Sequence, residues 1–470
     1  MNFIFLSCMP ATFLQRALGA YQIAHHLRTF GYTCQVIEFT QFFSNEELIQ
    51  TVEKFLTKDT LGIGVSTTWY DSREERGPIR FFVQFSPSLP DNIVGVLEYV
   101  KSNYPTVKRI AGGTFTKVYK NSPLFDHHIH SYAEDQMLKY ANSISGKTKF
   151  DTFNIETLEH RFTEQDCILP GEMLPIEISR GCIFKCSFCN FPLNGKKKMD
   201  YIRSSKLIAE EMQYNYDKYG TTTYLFTDDT FNDTTIKLQL LWDEVKKLPF
   251  KIKFFAFLRI DLLNAHREQI KLLKDLGLKV AAFGIETFHT QAAKGIGKGM
   301  NGDKTKAFLD ELYNDHWGDD VRIHALMMTG LPGEPLEHSR ESMQWLHSRP
   351  FSSLFSTFSL YEDYEDKSKI SSEPNKYGYK IQENGKWVSN LMRQEESERF
   401  YIKHFPIMVK NNVLYDGFQL IAAFTHYNPD RVMKITWKDV VNNYDDIYKK
   451  KLTMFNQYKV RLHGIADSYK

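Results

Sequence analysis

Between residues 173 and 360 six apolar runs of strand length alternate with five segments of helical periodicity. Strands are expected near 174–179, 222–227, 252–257, 279–285, 321–329 and 354–360, with helices near 203–219, 232–247, 262–276, 303–315 and 335–348. Parallel strands joined by right-handed crossovers curl into a partial (βα)6 barrel, and such barrels hold their ligands at the carboxyl ends of the strands.

A second alternation precedes it. Strands are expected at Phe3–Leu6, Cys34–Phe39, Leu61–Ser66 and Val107–Ala111, with helices over about Leu14–Phe30, Asn45–Leu56 and Asn92–Asn103. Gly31 closes the first helix, and a loop rich in proline and charge follows the third strand. The fourth strand ends in Gly112-Gly113-Thr114. The fold class is therefore α/β: a doubly wound, Rossmann-like domain over 1–145, a polar linker over 146–172, a barrel over 173–360 and a mainly helical region over 361–470. A chain of 470 residues has room for such a division.

Directly after the first barrel strand comes Gly181-Cys182-Ile183-Phe184-Lys185-Cys186-Ser187-Phe188-Cys189, a C-x3-C-x2-C spacing. A tight loop can turn these three thiolates toward one metal, at about 2.3 Å from each sulfur. Structural zinc closes with four protein ligands, and the loop has no fourth cysteine or histidine. A four-iron cluster held by three thiolates would keep one iron open to a substrate. A catalytic zinc with one water and three ordinary loop cysteines are the alternatives.

The remaining cysteines, Cys8, Cys34 and Cys167, are scattered and read as buried and inert, so no disulfide framework is expected. With a formal charge of +2, the composition gives no reason to expect a nucleic-acid or membrane partner, and no apolar stretch reaches membrane-spanning length. The expected location is cytoplasmic.

The cysteine spacing, with aromatic Phe188 before the last cysteine, resembles the radical S-adenosylmethionine (radical SAM) superfamily. The resemblance implies an enzyme whose 4Fe-4S cluster, held by Cys182, Cys186 and Cys189, binds S-adenosylmethionine at the open iron. There the sulfonium is cleaved reductively to a 5′-deoxyadenosyl radical that abstracts hydrogen. Other strand ends carry similar elements: Asp228 in Thr227-Asp228-Asp229-Thr230-Phe231, Arg259 after the third strand, Glu286 in Gly284-Ile285-Glu286, and Gly330 in Gly330-Leu331-Pro332-Gly333-Glu334. Asp228 would bind the S-adenosylmethionine amino group or the substrate, Arg259 a carboxylate and Glu286 a ribose, with Gly330 approaching adenine. The alternatives are a helix N-cap at Asp229 or Asn232, a salt bridge at Arg259 and a simple turn at Gly330.

The first domain resembles the cobalamin-binding domain that precedes many radical SAM cores, with Gly112 and Gly113 as cofactor-binding positions. The loop Ser7-Cys8-Met9-Pro10-Ala11-Thr12 lacks the D-x-H-x-x-G motif of the methionine-synthase type, so a domain that keeps the fold without the ligand stands beside cobalamin binding. The strongest implied activity is cobalamin-dependent methyl transfer to an unactivated carbon of a small molecule, with a flavodoxin or ferredoxin as electron donor. Another hydrogen abstraction without cobalamin and a non-catalytic cluster-binding protein are its rivals.

Three further features read as structural. His127, His128 and His130 form a strand-end cluster, Lys294–Gly299 a loop, and Lys196-Lys197-Lys198 a solvated face. In the tail, helices are expected near 394–410, 415–424 and 440–458, with Trp387 and Trp437 in the core.

Overall fold

Strand β1 (Phe3–Leu6) is buried on both faces and is bordered by β2 (Cys34–Ile37) and β3 (Gly62–Ser66), both parallel to it. The computed structural model describes residues 1–8, 15–68, 71–76, 79–85, 88–191, 193–360, 368–400 and 444–468. A hairpin of β4 (Asp71–Arg76) and β5 (Ile79–Phe85) stands where a loop is expected, because the charged run of β4 carries no apolar alternation to announce a strand. β6 (Lys108–Gly112) and β7 (His127–Ile129) complete a five-stranded parallel sheet in the order β2-β1-β3-β6-β7. The order reverses between β1 and β3, where such sheets open a crevice for ligands.

Helices α1 (Leu18–Thr29), α2 (Asn45–Phe55), α3 (Asp91–Asn103) and α4 (Glu134–Ser145) cover this sheet. Ser44 starts α2 through a reciprocal cap with Glu47. Alternation along β1 divides the core. Phe3 and Phe5 join α1, α4 and the barrel interior, whereas Ile4 and Leu6 join α2, α3 and the helix Tyr444–Asp467. That helix lies against the first domain, with the Tyr458 hydroxyl accepting from Glu38 N at 2.9 Å and Lys459 pairing with Glu47 at 3.0 Å.

The second sheet holds β8 (Leu174–Ile176), β9 (Thr223–Phe226), β10 (Lys253–Leu258), β11 (Leu278–Glu286), β12 (Arg322–Thr329) and β13 (Ser352–Thr357), in sequence order and all parallel. Between them run α5 (Ser205–Tyr219), α6 (Thr235–Val245), α7 (Ile260–Ala265), α8 (Glu268–Leu276), α9 (Thr290–Ile296), α10 (Gly302–Glu311) and α11 (Leu336–His347). Helix α9 takes in Lys294–Ile296, part of the expected loop; it ends where Gly297 adopts a left-handed φ of +85°.

The stretch before β8 has the single expected helical turn, at Glu164–Asp166, yet Phe162, Ile168 and Leu169 are buried in it. Arg16 reaches from the first domain to Glu172 at 2.7 Å and tethers it. Trp387 is fully buried beside Phe358 and Tyr379, as expected, and residues 394–400 are helical. The expected helix at 415–424 and Trp437 lie outside the described residues. Among the described residues no helix is long and apolar enough to cross a membrane.

Candidate functional site

The chain leaves β8 at Glu177 and is pinned at once. Asp228, after β9, accepts from Ile178 N at 3.0 Å and from the Ser179 hydroxyl at 2.6 Å. Lys237 lies 3.6 Å from the same carboxylate and 2.6 Å from Asp233, all fully buried. Next comes Arg180, held between the rings of Tyr132 and Phe153 at 4.5 and 4.6 Å and bonded to Glu134 of the first domain and Glu177 of the second. Gly181 has a left-handed φ of +72°, and a side chain there would fall 2.5 Å from the Leu193 carbonyl oxygen. The chain folds back alongside: Cys182 N donates to Leu193 O at 3.3 Å, and Cys182 O accepts from Gly195 N at 2.7 Å and Lys196 N at 3.2 Å.

Each of the three sulfurs meets a polar partner. Cys182 Sγ lies 3.2 Å from the Thr230 hydroxyl and accepts from Phe184 N at 3.4 Å. Cys186 Sγ accepts from Arg259 at 3.3 Å, and Cys189 Sγ from the Asn194 amide at 3.1 Å. Burial raises the Cys182 thiol and pushes Cys189 up to about 11, against the hydrogen bonds that favour the thiolates. Positive charge from iron would overcome that burial, and outer hydrogen bonds to sulfur are what cluster thiolates use. The donor set thus fits an iron–sulfur cluster.

One expectation needs correction. Among the described residues no three His, Cys, Asp or Glu side chains gather around one ion-sized point. A single tetrahedral ion with bonds of about 2.3 Å needs its sulfurs roughly 4 Å apart. A cube that presents a separate iron to each sulfur does not.

Asp228 is committed to the backbone and Lys237, so it does not reach for a ligand. Its neighbour Asp229 makes no hydrogen bond or ion pair among the described residues. Its carboxyl is pushed up to about 7 by burial, with Asp228 and Glu177 adding to the shift, and it lies within electrostatic reach of Cys182, Cys189 and Tyr132. Neither Asp229 nor Asn232 caps α6; Thr234 does, accepting from Lys237 N at 3.1 Å.

Arg259 has its carboxylate partner within the chain: Asp261, at 2.9 and 2.6 Å. Its guanidinium lies 3.6 Å over the Phe184 ring. Burial disfavours that charge, but Asp261 and the Cys186 sulfur outweigh it and raise the pKa. Arg259 therefore orients the cysteine loop.

Glu286 adopts a left-handed φ of 69°, rare for a side-chain-bearing residue. Its carboxylate lies 3.3 Å from Lys298, which also donates to Gly284 O at 2.7 Å and sits 5.6 Å over the Phe188 ring. Lys298 thereby links Glu286 to Phe188.

Gly330 is not open to a ligand. A side chain there would fall 2.6 Å from Trp387, and the Tyr379 hydroxyl donates to its carbonyl at 2.6 Å. Gly112 is the opposite: among the described residues nothing lies within 4 Å of an added Cβ. Gly113, at φ +101°, packs against Thr67 and Thr68 beyond β3, so the two glycines lie at the carboxyl edge of the first sheet.

Lys196 is not solvated; its side chain is 1% exposed and lies 3.8 Å from Asp233, while Lys197 and Lys198 are exposed. His127 stacks on Tyr140 at 3.8 Å and His128 bonds Tyr119 O at 2.9 Å. Cys8, Cys34 and Cys167 are buried, and burial pushes the last two up to about 12. Thr230, Asn194, Lys298 and Asp229 are the site residues that sequence reasoning missed. Position in a strand-end loop was the only signal available for them.

Residues 176–346 match the family description "Radical SAM superfamily". Among curated proteins, an uncharacterized methyltransferase of Pyrococcus horikoshii is 30% identical over 26% of this chain and 26% of its own length. The bacteriochlorophyllide d C-8(2)-methyltransferase of Chlorobaculum tepidum is 29% identical over 27% and 29%. The ribosomal protein uS12 methylthiotransferase RimO of Bdellovibrio bacteriovorus is 22% identical over 52% and 56%. The chain thus spans between about a quarter and just over half of these relatives. Two solved structures share the whole fold. TsrM of Kitasatospora setae, a radical S-adenosylmethionine methyltransferase solved with cobalamin and a 4Fe-4S cluster, has TM-score 0.63 at 12% identity, covering 97% of this chain and 100% of its own. OxsB, a cobalamin-dependent S-adenosylmethionine radical enzyme, has TM-score 0.60 at 13% identity, covering 100% and 83%.

Proposed function

We propose, from the match of residues 176–346 to the radical SAM superfamily, that this chain is a radical SAM enzyme, a cobalamin-dependent methyltransferase acting on a carbon of a small molecule. The observation that carries the cluster assignment is the set of three half-buried sulfurs at the carboxyl end of β8, each with a hydrogen-bonding partner. When bound and reduced, the 4Fe-4S cluster supplies the electron that splits the sulfonium of S-adenosylmethionine.

The chain's own residues do the rest. Cys182, Cys186 and Cys189 hold the cluster, and Thr230, Arg259 and Asn194 orient their sulfurs. Asp229, the unengaged carboxyl beside the cysteines, takes the ammonium-binding role that the family resemblance assigns to Asp228. Glu286, presented by Lys298 next to Phe188, binds hydroxyls of the ribose.

Support for cobalamin comes from Gly112, at the carboxyl edge of the first sheet, where no described residue comes within 4 Å of an added Cβ, and from the cobalamin-bearing proteins that share the fold. The working division is a cobalamin-side unit at 1–145, a connection at 146–172, the radical core at 173–360 and a substrate-side region at 361–470. The six cysteines form no disulfide, which suits a reducing, cytoplasmic setting.

The test is anaerobic reconstitution with iron, sulfide and hydroxocobalamin, then incubation with S-adenosylmethionine and dithionite. Formation of both 5′-deoxyadenosine and S-adenosylhomocysteine supports methyl transfer. The first product alone favours a cobalamin-independent hydrogen abstraction. Formation of neither product would contradict the proposal.

A further inference from the structure

A cleft of about 510 Å³ lies between the first domain and the loop that carries the cysteines. Small-molecule sites span about 300–1,000 Å³, so the cleft has room for such a ligand. Tyr132 and Asp135 stand on its first-domain side, Phe153 and Glu156 come from the connection, and Asp200 and Tyr201 belong to the segment that folds back beside the cysteines. Leu193, another wall residue, accepts from Cys182 N through its carbonyl at 3.3 Å. The cleft is therefore built against the metal-binding loop itself.

Its charge is one-sided. Four carboxylates line it, those of Glu134, Asp135, Glu156 and Asp200, against a single guanidinium, Arg180. Arg180 is already neutralised: it bonds Glu134 and Glu177 and lies between the Tyr132 and Phe153 rings. Asp135, Glu156 and Asp200 have no lysine or arginine partner among the described residues. Asp135 accepts from Phe153 N at 2.7 Å and Asp200 from Lys197 N at 3.0 Å, each through one oxygen only. His26, 3.9 Å from Asp135, is held below its ordinary pKa by burial and so stays neutral near pH 7.

The wall is also strained. Leu193 and Tyr201, which line the cleft, and Ser131 and Met199, which adjoin it in sequence, have left-handed φ values of 55°, 55°, 60° and 65°. Side-chain-bearing residues held in that region gather at ligand sites. Unmatched carboxylates beside aromatic rings are the recognition chemistry of an organic cation. A bare metal ion does not suit the place, because among the described residues no three metal-ligating side chains converge on one point. The occupant carries its charge on a body broad enough to reach Leu193 and Tyr201.

We propose that this cleft binds an amine-bearing aromatic small molecule, with Asp135, Glu156 and Asp200 supplying the negative charge that holds its ammonium group and Tyr201 and Leu193 packing against its ring. The inference rests on the methyl-transfer reading above only in making that molecule the acceptor.

Equilibrium dialysis of the full reconstituted chain, without reductant, against tyramine and against 4-hydroxyphenylacetate tests it, since the two probes share a ring and differ in the sign of their charge. Tyramine should bind, more weakly as salt is added, and 4-hydroxyphenylacetate at least about tenfold less tightly. The double variant E156Q/D200N, which keeps side-chain size, should weaken tyramine about tenfold, and Tyr201→Ser, at a residue 43% exposed, should weaken it without charge change. Glu210→Gln, an exposed carboxylate on α5 outside the cleft, should alter it less than about twofold. Equal binding of the two probes, tyramine affinity unchanged in E156Q/D200N, or no tyramine binding at about 1 mM would overturn the proposal. A chain that binds tyramine as expected yet forms neither 5′-deoxyadenosine nor S-adenosylhomocysteine would overturn the methyl-transfer reading and leave the cleft's assignment standing.

Discussion

At the carboxyl edge of the barrel each cysteine sulfur already has a hydrogen-bonding partner, while at the carboxyl edge of the first sheet no described residue comes within 4 Å of a Cβ added at Gly112. One edge is built from side chains that fix a small group in one orientation. The other is built from backbone and absent side chains, which suits a broad, flat ligand held over the strand ends. Between them stands Arg180, whose bonds to Glu134 and Glu177 tie the first domain to the loop that opens the barrel. Two edges of different character are thus held in one frame.

The largest effect that separates the two edges comes from the sulfurs. Replacing Cys182, Cys186 or Cys189 with alanine should abolish iron binding and 5′-deoxyadenosine formation, while corrinoid binding, read by absorbance after gel filtration, should survive. Loss of both together would mean that the edges do not act separately.

Next comes the support beneath the loop. Lys237→Met leaves Asp228 without its buried cation and Asp233 with the more distant Lys196 alone, and should destabilise the fold by about 3–5 kcal/mol, seen in chemical denaturation. Arg259→Met should lower cluster affinity or turnover by about 10- to 100-fold with the fold retained, as outer partners of metal ligands do.

Gly112→Leu probes the other edge. Among the described residues nothing blocks a Cβ there, so the variant should fold; it should lose most bound corrinoid while still producing 5′-deoxyadenosine under dithionite. Corrinoid content equal to wild type would move the cofactor away from this edge.

The smallest effect is a pH slope. Burial lowers His324 to about 3 and His25 and His347 to about 4, from the ordinary 6.5. The folded chain keeps them neutral, whereas the unfolded chain protonates them below about 6.5. Stability present above that pH is therefore lost as pH falls from about 6.5 toward 4, and thermal midpoints should drop across that window. His324→Asn should flatten the drop.

Much of the barrel was legible because buried parallel strands and amphipathic helices each leave their own periodicity. The six strands and the helices between them stand within a few residues of expectation. Less legible was what each polar side chain at a strand end would touch. Asp228 and Asp229 are adjacent and chemically alike, yet one bonds the backbone at Ile178 and the other stays unengaged, a difference made by residues some fifty positions earlier in the chain. Gly330 read as a place for a ligand because Trp387, which fills the space, comes from another part of the chain. Lys196 and Lys197 look identical in the sequence, and only the return of the loop against Asp233 buries one of them.

The claim on which the account turns is that three sulfurs hold a four-iron cluster with one iron open. Electron paramagnetic resonance of the anaerobically reconstituted, reduced protein, with and without S-adenosylmethionine, tests it directly. The account predicts about four irons per chain and a reduced-cluster signal that shifts when S-adenosylmethionine binds. A protein holding a single metal ion, or a cluster signal indifferent to S-adenosylmethionine, would contradict it.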